Sequence, residues 1–325
     1  MIIAVDATGG EYAPREIVKG AIKAIQEYKV DVALVGRKTI LHVLGGRYLN
    51  KPELTIIDTS QLIEPHESPI EAVRNKPNSS IVVGVSLVRD GAASAFVSAG
   101  NSGAVVYSAL LNLGKIKSIE RPAIASVINI NTAAPVLLID AGANANCRPS
   151  HLVQFAQLGA IYAREIFGIT SPRVGLLNNG QEESKGNRLA QESYNLLKKT
   201  NLNFIGNIEG QDILRRIVDI VVTDGFTGNI VLKTIEGFGD TILKWQQMGR
   251  ALLYDVGLGS LVKRIDYQEY GGACLLGVNG NVIIAHGRSQ AKAIKNAIGL
   301  AKQTVERGIC QKIKEEDYEQ VGLHR

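Results

Sequence analysis

The chain has 325 residues, 45% of them hydrophobic and 21% charged, which is ample apolar material for a large packed core. Its formal net charge of +5 is dispersed, without Lys/Arg blocks or Arg interleaved with aromatics, so a nucleic-acid partner is not expected. Cys147, Cys274 and Cys310 lie far apart and form no CxxC spacing, which leaves no zinc or redox signature and suits a reducing cytoplasm.

Strand-like runs alternate with helical patterns from the first residue. Ile2–Val5 reads as a buried strand rather than as the start of a signal peptide, and Pro14–Tyr28 as a helix with Ile17, Val18, Ala21, Ile22 and Ile25 on one face. Strands follow at Asp31–Val35 and Thr55–Asp58, then a helix at Ser79–Asp90. Ala95–Ser98 is a strand, Gly103–Leu113 a helix, and Ala123–Asn129 and Val136–Asp140 are two more strands. Ser150–Phe167 reads as a long helix with Ser150 as its N-cap. Val174–Asn178, Phe204–Gly206, Ile220–Thr223 and Val282–Ala285 complete the strands, and Lys312–Gln320 is a charged helix or tail. This βαβα order predicts a three-layer α/β/α fold with a mostly parallel, doubly wound sheet, and the whole of 1–325 reads as a single domain.

Residues 230–270 differ. Ile235, Phe238, Ile242, Leu243, Trp245, Met248, Leu252 and Leu253 recur at helical spacing, Gly257 and Gly259 interrupt, and Leu261, Val262 and Ile265 resume beside Lys263 and Arg264. The pattern predicts a helical hairpin that packs on the core or on a second copy. Its apolar tip, with Leu252, Leu253, Val256, Leu258 and Leu261 flanked by basic residues, suits a membrane surface or an acyl chain. No apolar run approaches the roughly 18 residues that span a bilayer.

Turns rich in amides, hydroxyls and glycine follow the strand-like runs, as where an open α/β sheet builds a binding crevice. Asp6-Ala7-Thr8-Gly9-Gly10 ends the first strand, and Asp6, Gly9 and Gly10 form one wall of that crevice. Arg74 and Lys76 stand just before a predicted helix start, a suitable anion site. Ser98, Gly100, Asn101 and Ser102 join a strand to a helix and can cradle a phosphate. Asp140-Ala141-Gly142-Ala143-Asn144 and Asp224-Gly225-Phe226-Thr227-Gly228-Asn229 repeat the design, which adds Asn144, Thr227 and Asn229. Glu182–Asn187 contributes Asn187 and Lys185, the preferred electrophilic stabiliser. His286 ends a strand and reads as a satisfied histidine or a substrate contact, and His151 as structural.

No GxGxxG follows the first strand, and GxxxxGK[ST], HExxH and GxSxG are all missing. Neither a cofactor nor a metal is expected. A chain with no evident nucleophile can still act by positioning a bound anion that attacks directly.

Eight segments in order carry a family resemblance. They are Asp6–Gly10, Lys76–Ser80, Val97–Ala104, Arg121–Ala123, Asp140–Asn144, Glu182–Asn187, Asp224–Thr234 and Gly271–Gly280. Along nearly its whole length the chain resembles the bacterial phosphate acyltransferases of phospholipid synthesis, the PlsX family. It departs from the usual pattern at Thr8, Glu11, Ser102, Asn179, Gln181 and Cys274. The resemblance implies an isopropylmalate-dehydrogenase-like fold, a homodimer, and transfer of a long fatty acyl group from acyl carrier protein to inorganic phosphate. It also implies peripheral attachment to the cytoplasmic membrane through the 230–270 hairpin, with the acyl phosphate product passing to a membrane glycerol-3-phosphate acyltransferase. Phosphate would attack the thioester with no acyl-enzyme, held or stabilised by Lys185, Asn229 and Asn101. The rival readings are an isopropylmalate-dehydrogenase-like oxidoreductase and a non-catalytic membrane-associated scaffold.

Overall fold

The computed structural model describes residues 1–128, 135–248, 271–316 and 318. The first half of the chain forms β1 (Ile2–Asp6), α1 (Arg15–Tyr28), β2 (Asp31–Gly36), α2 (Lys38–Gly45), β3 (Leu54–Asp58), α3 (Pro69–Asn75), α4 (Ser80–Arg89), β4 (Ala95–Ser98), α5 (Ser102–Asn112), β5 (Ala123–Ile128), β6 (Val136–Ile139) and α6 (Pro149–Phe167). Then come β7 (Val174–Leu177), α7 (Arg188–Leu197), β8 (Phe204–Ile208), α8 (Gly210–Arg215), β9 (Ile220–Val222), α9 (Gly225–Met248), β10 (Ala273–Leu276), β11 (Asn281–Ile284), α10 (Ala291–Glu306) and α11 (Ile309–Glu315). The chain falls into two compact units, Met1–Lys117 with Gln268–Lys314, and Ser118–Tyr267 with Glu315–Arg325.

In the first unit the strand order is β3-β2-β1-β4-β11-β10, parallel except where β10 runs against β11. Ile3, Ala4 and Val5 are all buried, so β1 is covered on both faces, as parallel strands with crossover helices are. Helices α1 and α10 pack on each other, as do α4 and α5, and both α4 and α10 lie on β1 and β4. A Cβ on Gly20 would stand 2.6 Å from the Cβ of Ile294, so glycine sets the close approach of α1 to α10. The pairing register sets Val5 beside Val97 and Ser98 beside Ile284, which brings the C-terminal ends of β1, β4 and β11 to one edge.

In the second unit the order is β5-β6-β9-β7-β8, parallel except for β5 against β6. Helix α6 packs on β6 and β9 through a fully buried face that includes Phe155, Ala156 and Tyr162. The mostly parallel α/β class is therefore the one the βαβα order predicts.

Three local readings are corrected. Helix α6 starts at Pro149, and Arg148 is its N-cap residue, because proline at the first helical position presets the backbone there. Ser150 is one residue inside. Arg74 sits in the last turn of a helix of its own, α3, rather than in a loop before α4. Thr227 and Asn229 belong to the first turns of α9, which begins at Gly225. The predicted hairpin is described as far as Met248; Leu252, Leu253, Val256, Leu258 and Leu261 lie outside the described residues.

Candidate active site

In the first unit the strand-end loops are built around Asp6, which is 1% exposed. Its Oδ1 accepts the backbone N–H of Thr8 and of Gly9 at 3.0 Å and the Thr8 hydroxyl at 3.1 Å. Its Oδ2 accepts the Ser98 hydroxyl at 2.7 Å, and Ser98 Oγ in turn accepts the Gly100 N–H at 3.0 Å. The Thr8 hydroxyl also meets Ser80 Oγ at the start of α4. A Cβ on Gly9 would stand 2.6 Å from the Gly100 nitrogen, so the loops after β1 and β4 touch backbone to backbone. Gly10 takes φ +106° and lies against the Gly287 carbonyl, next to His286. His286 Nδ1 accepts the Arg288 N–H at 3.0 Å. Asp6, Gly9, Gly10, Ser98, Gly100 and His286 are thus brought to one edge of this unit.

Other expected contacts in this unit have partners already. The Asn101 Oδ1 caps α5 by accepting the Ala104 N–H, while its Nδ2 donates to the carbonyls of Glu64, Pro65 and Glu67. Arg74 Nε donates to the Tyr107 hydroxyl. Lys76 pairs with Glu67, a hydrogen bond that holds this carboxyl below the usual range, and also donates to the Leu62 carbonyl. The Ser102 hydroxyl is exposed at the start of α5.

In the second unit Asp140 plays the part of Asp6. Its fully buried carboxylate accepts the N–H groups of Ile124, Gly142, Ala143 and Asn144 and the Asn144 side-chain amide. Burial pushes its pKa up, and these donors pull the other way. Asn144 Nδ2 also donates to the Pro122 carbonyl, so this side chain fixes the loop. Asn229 Nδ2 donates to the Ala141 carbonyl at 3.3 Å and packs over Gly142, whose φ of +140° leaves no room for a Cβ against it. Asp224 accepts both the N–H and the hydroxyl of Thr227, which closes the first turn of α9.

Lys185 is exposed, and its ammonium has no hydrogen-bonding or ionic partner among the described residues. Its backbone is fixed, with the carbonyl accepting Asn178 Nδ2 and the N–H donating to Glu182. Asn187 Oδ1 caps α7 on the Ala190 N–H, and its Nδ2 is unpaired among the described residues. Asp140 and Asp224, which hold these loops, are not among the candidate residues named from the sequence. The available signal was the one used for Asp6, an aspartate that closes an apolar strand just before glycine.

Two of these loops, after β1 and after β6, are organised by a buried aspartate, Asp6 and Asp140, at the strand ends where open α/β sheets form their crevices. Solved structures share the fold. A phosphotransacetylase from Streptococcus pyogenes superposes with TM-score 0.63 at 19% identity, over 94% of each chain. A 4-hydroxythreonine-4-phosphate dehydrogenase from Klebsiella pneumoniae gives 0.52 at 13% identity, over 94% of this chain and 98% of its own. The fatty acid synthesis protein family matches residues 1–312. The phosphate acyltransferase of Dehalococcoides mccartyi is 56% identical over 97% of this chain and 94% of its own length. That of Pelotomaculum thermopropionicum is 49% identical over the same shares. The chain belongs to the phosphate acyltransferase (PlsX) family and is an acyltransferase of fatty acid and phospholipid synthesis.

Proposed function

We propose that this chain transfers a long-chain fatty acyl group from acyl carrier protein to inorganic phosphate, releasing acyl phosphate for phospholipid synthesis. The observation that carries the reading is Lys185, a cation fixed through its backbone at a strand-end loop and left without a partner among the described residues. A phosphate oxygen attacks the thioester carbonyl carbon. The C–O bond forms as the carbonyl oxygen becomes an oxyanion, which Lys185 and Asn229 stabilise. The oxyanion then collapses, the C–S bond breaks, and the carrier thiolate leaves and takes a proton from solvent. Asp6, Ser98 and Gly100 hold the loops of the first unit. Asn101 shapes that loop through its cap.

Direct attack is supported by the thiols. Burial pushes Cys147 and Cys274 up to about 12 and raises Cys310, so none offers a ready thiolate for an acyl-enzyme. A homodimer is supported by Phe226, Ile230 and Phe238, which are exposed at helical spacing on α9 and which a second copy would bury. Among the described residues no helix is long and apolar enough to cross a membrane. Attachment is proposed to be peripheral and cytoplasmic, through residues 252–261, beside a membrane glycerol-3-phosphate acyltransferase that takes the product. Incubation with palmitoyl carrier protein and phosphate, with hydroxylamine as trap, should give palmitoyl hydroxamate. A yield no higher than in a phosphate-free control would reject the reading.

A further inference from the structure

The segment between β7 and α7 carries Lys185, and side-chain amides from three sides grip its backbone. Asn207 Nδ2, on β8, donates to the Glu182 carbonyl at 2.9 Å. Gln191 Nε2, on α7, donates to the carbonyls of Ser184 at 2.7 Å and Gly186 at 3.2 Å. Asn178 Nδ2, just after β7, donates to the carbonyl of Lys185 itself at 3.2 Å. The Glu182 carbonyl also accepts the Lys185 N–H at 3.0 Å, so Asn207 grips the very turn that Lys185 closes.

Asn207 holds this turn at the expense of stability. It is 7% exposed, and its Oδ1 is buried without a partner among the described residues. An unpaired buried acceptor destabilises, and a leucine of similar size carries no such penalty. A bulge brings Asn207 to its place. The pairing of β7 with β8 passes from Phe204 to Gly206 and leaves Ile205 over, with Gly206 at φ +108°. One extra residue turns the later side chains to the opposite face. Ile205 is therefore exposed, while Asn207, two residues on, is buried against the Lys185 loop.

We infer that Asn207, assisted by Gln191, is a positioning residue for acyl transfer: it fixes the 182–186 backbone so that the Lys185 ammonium meets the oxyanion. The inference rests on the acyl-transfer reading above, in which Lys185 is the stabiliser. Misplacing a reacting group by 1 Å costs on the order of 100-fold in rate, and the long lysine stem takes up part of that movement.

Asn207→Leu and Gln191→Met test this, each alone and combined with Lys185→Ala, with acyl phosphate formation and thermal melting as readouts. Asn207→Leu should melt no lower than the wild type, while kcat falls about tenfold and KM for palmitoyl carrier protein changes less than about twofold. Exchange of the Lys185 amide with deuterium should quicken in the same variant. Gln191→Met, whose lost bonds are exposed, should lower kcat about threefold. Added to Lys185→Ala, neither change should lower kcat by more than about twofold further, because both act through the lysine. A lowered melting temperature with unchanged kcat would make Asn207 structural only and overturn the inference. So would losses that multiply in full with that of Lys185→Ala, and the Gln191→Met cycle decides this even where Asn207→Leu fails to fold. Wild-type turnover in Lys185→Ala alone would instead reject the catalytic reading of Lys185, a result told apart from the others because it needs no change at Asn207 or Gln191.

Discussion

Asp6 in one unit and Asp140 in the other close the same kind of strand end with different partners. Asp6 accepts two backbone N–H groups and two hydroxyls, one of them from Ser98 on another strand. Asp140 accepts four backbone N–H groups and one side-chain amide. In the first unit the side chains of Asn101, Arg74 and Lys76 all have partners. In the second unit Lys185 and the Nδ2 of Asn187 are unspent among the described residues. Similar motifs therefore serve different ends. In the first unit Asp6, Ser98 and Asn101 lock loops to one another, and in the second Lys185 and Asn187 Nδ2 have no partner among the described residues.

The largest expected effect is on Asp140. Asp140→Ala strands five donors inside the protein and should cost about 4 kcal/mol or more in chemical denaturation. Asp6→Ala should cost about 3 kcal/mol, because the Thr8 and Ser98 hydroxyls can rotate to other acceptors. Equal costs would erase the distinction between a carboxylate that holds backbone and one that holds side chains. Lys185→Ala should lower kcat about 100- to 1000-fold with little change in melting temperature, the scale of one lost oxyanion donor. Wild-type turnover in this variant would remove Lys185 from the chemistry.

Asn101→Ala sharpens the other side of the contrast. It loses a helix cap and three bonds to the 64–67 segment, so stability should fall by about 2 kcal/mol while kcat falls less than tenfold. A catalytic loss as large as that of Lys185→Ala would make Asn101 a contact to the reacting atoms.

The smallest expected effect is electrostatic. Burial raises the Asp219 carboxyl, but hydrogen bonds and charge from Arg173 outweigh it and leave the group below its ordinary value. A carboxylate depressed on folding stabilises the protein fully above its unfolded pKa of about 4, and that stability is lost as pH falls through the folded value. Asp219→Asn should therefore cost about 1 kcal/mol at neutral pH, since Arg173 is partly exposed, and flatten the acid limb of the melting curve below about pH 4. An unchanged acid limb would show that the pair contributes nothing to acid stability.

Much of the fold was legible because buried parallel strands leave short apolar runs bounded by glycine and asparagine, as at Val97–Asn101 and Leu138–Asn144. Helix α10 was missed because its buried face is largely Ala291, Ala293, Ala297 and Ala301, a weak apolar signal that works only because Gly20 lets α1 come close. In the site, the loops were legible and the state of their side chains was not. Asn101 looks like a free amide until the carbonyls of Glu64, Pro65 and Glu67 fold onto it, and Ser98 looks like a free hydroxyl until Asp6 arrives from 92 residues away. Such partners are set by sheet order, which no local motif encodes.

The shared carboxylate at Asp140 has a kinetic consequence. The amides of Ile124, Gly142, Ala143 and Asn144 share a single carboxylate as acceptor, so displacing that carboxylate releases all four together. In deuterium exchange these four should behave as one slow group with a common opening free energy, although Ile124 lies on β5 and the other three lie in the loop after β6. The loop that carries Gly142 beneath Asn229 is in this sense a single latch.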